Sequence, residues 1–160
     1  MSHTSPDTRE TAVTAAPYTT SFAVDQTPDE VFAAINNVRA WWSADIDGPT
    51  DALGAEFIFQ HKDLHRTTQR ITAFVPGQKV VWHVTDSHIA FVEDTAEWKD
   101  TRIVFEISRH DGKTELRFTH VGLVPAIECY RDCSGAWASL INRSLRALIT
   151  TGTGLPIQTA

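Results

Sequence analysis

Two histidines lie in alternating apolar stretches, where an imidazole is able to do acid–base chemistry. His61 follows Phe59 by two positions, and His120 follows Phe118 by two. Because strand side chains alternate between faces, each imidazole shares the inward face of its strand with an aromatic ring. A buried neutral imidazole orients a ligand or transfers a proton near neutral pH, but it also occurs as a core residue bonded to a backbone carbonyl. The sequence leaves these roles open.

Glu97, next to Trp98, is the carboxylate that would orient such a base. If Glu97 enters the mouth of a cavity, it pairs with His120 as carboxylate and imidazole do in acid–base sites. The alternative is an exposed glutamate at the start of a strand. Nothing in the sequence brings the two residues together, so both readings stay open.

The two cysteines are four residues apart, at Cys129 and Cys133. This spacing places both on one helix face and favours two small buried or half-buried thiols over a disulfide framework. Together with His61, His83 and His120 they offer ligand atoms for zinc. Their spacings match no compact two-plus-two pattern, so we predict no metal site.

Other catalytic motifs are missing from the sequence. Ser134 lies in CSGAW and not in a Gly-x-Ser-x-Gly nucleophile elbow. There is no Gly-rich phosphate loop and no dinucleotide fingerprint. We therefore predict no cofactor and assign no catalytic residue, while an enzyme that uses a histidine remains an alternative.

Composition limits the classes of protein that this chain can belong to. The 160 residues, 42% of them apolar, suit one domain with its own core. A net charge of −6 argues against a nucleic-acid surface, which needs clustered Lys and Arg. No apolar run approaches the roughly 18 residues of a membrane span, and no signal-peptide layout precedes the domain. The expected location is the cytoplasm.

The first residues differ in composition from the rest. MSHTSPDTRETAVTAA is rich in Thr, Ser and Ala and has almost no large apolar side chain, so burial cannot offset the entropy cost of ordering it. We predict a disordered tail over residues 1–16 and a single domain over residues 17–157.

A helix after the first strand is indicated by the sequence TPDE. Thr27 is expected as N-cap, with Pro28 at the first helical position and Glu30 completing a capping box. Trp42 continues the apolar stripe of this helix, whereas Trp41 is rotated by about 100° from it. Trp41 must therefore point away from that stripe; the family resemblance described below implies a place at the rim of a cavity or at a partner surface, and the alternative is that Trp41 covers an edge of the core.

Alternating runs predict an antiparallel sheet of about six strands. An Asp111-Gly112 turn between two such runs is a strong hairpin signal. One face of the runs is apolar and the other charged, as in a sheet that is solvated on one side. The runs are 18–25, 55–62, 67–75, 79–86, 101–109 and 113–122.

A long helix ends the chain. Its broad apolar face comprises Tyr130, Cys133, Trp137, Leu140, Ile141, Leu145 and Leu148, and Gly152 is placed to cap the end. A one-sided sheet must bury its apolar face, and this helix is the apolar element of matching length. We predict an α+β fold in which a curved antiparallel sheet wraps around the C-terminal helix, with one or two short helices after the first strand.

Several stretches together carry a family resemblance. They are TPDEVFAAI followed by AWW, then EWKDTRIVFEI, KTELRFTHVGL and CYRDCSGAWASLINRSLRALITTGTGLP. Over about residues 18–156 the chain resembles the START-like (SRPBCC) helix-grip superfamily. Within it, the chain is similar to the bacterial group related to the activator of the heat-shock-protein ATPase.

The resemblance implies a cavity between sheet and C-terminal helix in which relatives hold hydrophobic ligands. The chain's five Trp and eight Phe suit such a site. We expect non-catalytic binding of a small hydrophobic or aromatic ligand in a pocket of several hundred Å³. The alternatives are a protein-interaction adaptor that regulates a heat-shock ATPase, with an exposed patch around Trp41, and a cavity-based cyclase or hydrolase. Expected ligand contacts are Trp41, Phe57, Phe59, His61, Trp82, Val84, Trp98, Ile103, Phe105, Leu116, Phe118, His120, Cys133, Trp137 and Ile141.

Overall fold

A computed structural model gives the fold of the chain. It describes residues 16–90, 92–93 and 95–157. Apart from Ala16, the segment for which we predict a disordered tail lies outside the described residues. All structural statements below refer to the described part of the chain.

Six strands form one antiparallel sheet in the order β1-β6-β5-β4-β3-β2. In β3 the register shifts between Thr68 and Gln69 and again between Ile71 and Ala73. Such bulges bend a strand and increase its twist. The strands are β1 Tyr18–Val24, β2 Glu56–His61, β3 His65–Val75, β4 Lys79–Ile89, β5 Arg102–His110 and β6 Lys113–Val121.

Alternating burial along the strands gives the sheet one apolar face. In β6, Leu116, Phe118 and His120 are buried, while Glu115 and Arg117, on either side of Leu116, face outward. This is the predicted alternation. The larger differences lie at two strand ends: β3 begins at His65, two residues before the predicted start, and β4 ends at Ile89, three residues after the predicted end.

Two short helices follow β1. Helix α1, Pro28–Asn36, begins with the predicted capping box: the Glu30 N–H donates to Thr27 Oγ1 (3.1 Å), and the Thr27 N–H donates to Glu30 Oε1 (2.9 Å). Asn37 leaves the helical conformation (φ −87°, ψ 61°), and the chain re-enters it for α2, Val38–Trp41.

The C-terminal helix is continuous but not uniform. Helix α3, Tyr130–Ser139, passes into a π-helical segment, Leu140–Leu145, and then into α4, Arg146–Thr151. Gly152 ends it in the left-handed conformation (φ 88°) that glycine adopts without strain. Its buried face, which includes Cys133, Trp137, Leu140, Ile141, Leu145 and Ile149, packs against the sheet. The predicted α+β fold, a curved sheet around a C-terminal helix, is confirmed.

Both neighbouring tryptophans face the core, contrary to the sequence prediction for Trp41. Trp41 is 0% exposed and Trp42 2%. The Trp41 indole N–H donates to Ile35 O (3.0 Å), and the Ser144 hydroxyl donates to Trp41 O (2.7 Å). Helix α2 ends at this point, between the sheet and the C-terminal helix, so core surrounds the turn on both sides. Trp41 is an anchor of the core and not a rim or surface residue.

We expect Trp41→Phe to lower the free energy of unfolding by about 2–3 kcal/mol, because it removes buried volume and leaves the Ile35 carbonyl without its donor. Urea denaturation followed by circular dichroism measures this. Leu53→Ala, at a side chain that is 66% exposed, should change stability by less than about 0.5 kcal/mol. Equal effects of the two substitutions would contradict the anchoring role of Trp41.

Candidate functional site

Aromatic rings fill most of the hollow between sheet and helix. Trp82 stacks on Trp42 with ring centroids 5.8 Å apart and 6° between planes, and it stands edge-on to Phe105 at 4.9 Å. Phe118 in turn contacts Phe105 at 5.3 Å. The expected pocket of several hundred Å³ is therefore filled by the side chains that were predicted to line it.

Seven of the predicted ligand contacts belong to this solid core. Each is fully buried, and none lines the cavity described next: Phe57, Trp82, Val84, Ile103, Phe105, Leu116 and Phe118. Trp41, Ile141 and His120 are likewise buried away from the cavity wall. Sequence alternation identified the inward face correctly but could not show how completely rings would occupy the space behind it.

A cavity of about 90 Å³ remains at one end of the hollow. It lies between α3, the β2–β3 hairpin and the segment that joins β4 to β5. Four of its residues were predicted from the sequence: Phe59, Trp98, Cys133 and Trp137. The others, which sequence reasoning missed as ligand contacts, are Trp42, His65, Asp132, Ala136, Leu140 and Ile157.

Aromatic rings form most of the wall of this cavity. Trp42 stacks on Phe59 (4.5 Å, 19°) and contacts Trp137 at 5.1 Å. Trp98 stacks on Trp137 at 5.8 Å with 17° between the planes. The rings come from the end of α2, from β2, from α3 and from the β4–β5 segment. Because the tertiary fold brings them together, no local sequence motif predicts this wall.

The mouth of the cavity lies on the helix side. Asp132 and Ala136 line it and are exposed, whereas Cys133 and Trp137 beside them are buried. Residues four apart lie on one helix face, so Asp132 and Ala136 form the outer edge of the apolar stripe. The sequence signal that could have identified them is this position at the edge of the stripe.

His65 is a polar group in an otherwise aromatic wall. Its ring stands edge-on to Phe59 (5.4 Å) and to Trp98 (4.6 Å), and its Nε2 is buried without a hydrogen-bond partner among the described residues. Burial, and to a lesser degree the neighbouring His61, lower the pKa of His65 to about 4. The imidazole is thus neutral at pH 7 and offers an unused hydrogen-bonding atom.

His61, the predicted ligand contact, lies opposite His65 in the β2–β3 register. It is half-buried, and it does not line the cavity. Strand alternation pointed to the histidine at the end of β2. After the turn, the histidine at the start of β3, His65, is the one that lies against the cavity.

His120 is held in one tautomer by a chain of hydrogen bonds. The Trp137 indole N–H donates to His120 Nδ1 (3.0 Å), so the neutral ring carries its proton on Nε2. Nε2 then donates to Thr101 Oγ1 (2.8 Å), whose hydroxyl donates to the Trp98 carbonyl (2.6 Å). Burial, and less strongly His65, lower the pKa of His120 to about 3. With both nitrogens engaged, His120 positions Trp98 and Trp137, two walls of the cavity.

Glu97 does not pair with His120. Its carboxylate accepts the backbone N–H groups of Glu128 (2.7 Å) and Cys129 (3.1 Å), just before α3 begins. These are orphan donors at a helix start, where a negative charge is favourable. Glu97 therefore ties the segment that carries Trp98 to the C-terminal helix.

The two cysteines are buried free thiols. Cys129 Sγ accepts the Trp98 indole N–H (3.3 Å). A hydrogen bond with Cys129, together with burial, raises the pKa of the Cys133 thiol, so it remains protonated. Within the described residues, no three His, Cys, Asp or Glu side chains are arranged to hold a metal ion, and no helix there is long and apolar enough to cross a membrane.

Comparison with known proteins identifies a matching family and solved structures with a similar fold. The family model described as activator of Hsp90 ATPase homolog 1-like protein matches residues 25–150. The comparison with curated proteins gives no significant match.

Three solved structures illustrate the shared fold. The Aha1 dimer from Colwellia psychrerythraea has 20% identity and a TM-score of 0.69 over 87% of this chain and 99% of that one. MLL2253 from Mesorhizobium loti has 16% identity and a TM-score of 0.63, over 86% and 99% of the two chains. CalU16 from Micromonospora echinospora has 14% identity and a TM-score of 0.59, over 84% and 76%. At these identities the likeness shows the fold alone.

We expect the His120 imidazole to stay neutral, with its proton on Nε2, from pH 8 down to pH 5. The folded pKa lies below the value of about 6.5 for an unfolded chain. Between these two values the unfolded state alone binds the proton, so stability falls as the pH is lowered, by up to about 1.4 kcal/mol per pH unit for this group. Ring ¹⁵N NMR measures the protonation state.

The same protein in concentrated urea is the control, because its imidazoles then titrate near 6.5. A ring ¹⁵N signal of doubly protonated His120 in the folded protein at pH 6 would contradict the hydrogen-bond chain.

Proposed function

Because the chain belongs to the family of activator of Hsp90 ATPase homolog 1-like proteins, we propose that it binds a compact aromatic or apolar molecule in the cavity between α3, the β2–β3 hairpin and Trp98, without catalysing a reaction. This is the family that the sequence resemblance predicted. The ligand class and the site are the proposal.

The observation that carries the proposal is a cavity of about 90 Å³ walled by rings, with Nε2 of His65, which has no hydrogen-bond partner among the described residues, on its wall. An apolar guest that lies against these rings gains roughly 25 cal/mol per Å² of apolar area removed from water. A polar group of the guest that reaches His65 also satisfies a buried atom whose lost hydrogen bond costs about 1–3 kcal/mol.

The size of the cavity limits the guest. At about 90 Å³ it is smaller than the roughly 150 Å³ of an engineered cavity that binds benzene. A ring therefore enters from the open side at Ala136, with one wall shifting. Trp98 lies in the segment between β4 and β5, outside helix and strand, and among the described residues its indole N–H bonds only to Cys129 Sγ, a weak acceptor.

The arrangement of the polar groups favours binding over catalysis. Both nitrogens of His120 are engaged, and no hydrogen bond or ion pair joins His65 to Asp132 among the described residues. A general base needs an orienting partner and a reachable proton, and the described part of the cavity offers no such pair.

Binding is also favoured over the adaptor alternative by where the apolar residues lie. That alternative expects an exposed patch around Trp41, yet Trp41 and Ile46 are buried. The large apolar side chains that are exposed among the described residues lie on separate elements: Leu53, Leu64, Val75, Val121 and Leu155.

We expect Ala136→Leu to abolish binding of phenethyl alcohol, used as a neutral aromatic probe, because the larger side chain occupies the mouth of the cavity. Isothermal titration calorimetry and ligand-observed NMR measure the binding. Leucine is a good helix former, so circular dichroism should show an intact fold.

The matched control is Ser139→Leu, which adds a leucine to an exposed position of the same helix outside the cavity. It should leave the affinity for the probe unchanged. Binding that survives Ala136→Leu, or no binding by the unaltered protein, would contradict the proposal.

A further inference from the structure

The residues that line the cavity include an acidic side chain and no Lys or Arg. Asp132 is that acidic residue. The basic residues next in sequence to lining residues, Arg66, Lys99 and Arg131, are exposed and do not line it either. Neighbours on a helix point about 100° apart, so Arg131 is turned away from the face on which Asp132 lies.

The charge of Asp132 is not neutralised by an ion pair. The salt bridges among the described residues involve other carboxylates, those of Asp25, Asp100 and Glu115. Asp132 lies in the first turn of α3, a position where acidic side chains are favourable. A molecule that enters past Asp132 therefore meets a negative charge at the mouth.

The interior supplies no positive charge to balance it. His65 is neutral at pH 7, because burial lowers its pKa to about 4. The rings of Trp42, Trp98 and Trp137 line the cavity, and an aromatic ring attracts a cation that lies over its face. An ammonium group at the mouth would be attracted by Asp132, whereas a carboxylate would be repelled.

We infer that the ligand of this cavity is a compact amine: an aromatic or alkyl group lies between Trp42, Phe59 and Trp137, and its ammonium group lies at Asp132. This inference rests on the proposed function and narrows its ligand class. It excludes fatty acids and aromatic acids as preferred ligands.

Three probes of similar size test the inference at pH 7 and low ionic strength: phenethylamine as cation, phenethyl alcohol as neutral molecule and 3-phenylpropionate as anion. We expect phenethylamine to bind about tenfold or more tightly than 3-phenylpropionate, since attraction replaces repulsion at a distance of a few Å. The ratio should fall in high salt, which screens exposed charges. Isothermal titration calorimetry gives the dissociation constants.

Asp132→Asn should bring the amine-to-acid ratio close to one. The matched control is Asp29→Asn, which removes the same charge from the first turn of α1, outside the cavity, and should keep the ratio.

If phenethyl alcohol binds but the amine is not preferred, or if Asp132→Asn keeps the preference, the inference is wrong while cavity binding stands. If no probe binds, the proposed function fails and the inference fails with it.

Discussion

Close packing of aromatic rings against the C-terminal helix is the constraint on which the rest of the molecule depends. Trp42 is at its centre, with ring contacts to Trp41, Phe59, Trp82 and Trp137. One face of this indole closes the solid core around Trp82, and Trp42 also lines the cavity. A single buried side chain thus separates the part of the hollow that stabilises the fold from the part that remains open to a guest.

A second constraint is polar and positions the same walls. The chain from Trp137 through His120 and Thr101 to the Trp98 carbonyl joins α3, β6 and the β4–β5 segment by hydrogen bonds. Each member uses its donor, so neither nitrogen of His120 is left for acid–base work. The network explains why His120, on the inner face of the sheet, holds Trp98 and Trp137 in place and does not transfer a proton.

The sequence predicted the elements well because their signals are local. The capping box at Thr27, the turn at Asp111-Gly112 and the apolar stripe of the last helix each depend on a few neighbouring residues. The site was predicted only in part, because its members meet through tertiary packing. Phe59 and Trp137 were predicted correctly because each lies on the apolar face of its own strand or helix. His65 was missed because a turn precedes it. Trp41 was placed wrongly because a helical wheel assumes that the side opposite the apolar stripe faces solvent, whereas α2 ends inside the core.

The same contacts decide how the cavity enlarges. Moving the whole segment that carries Trp98 would break the two charge-assisted bonds of Glu97, each worth about 1.5–3 kcal/mol. Rotating the Trp98 side chain breaks one N–H···S contact, its ring stacking on Trp137 and its edge contacts with His65 and His120. The Thr101 hydroxyl bonds to the backbone carbonyl of Trp98 and not to its indole, so rotation leaves the hydrogen bonds of His120 intact. Side-chain rotation is therefore the opening that keeps the hydrogen bonds of both His120 and Glu97, at the cost of ring contacts.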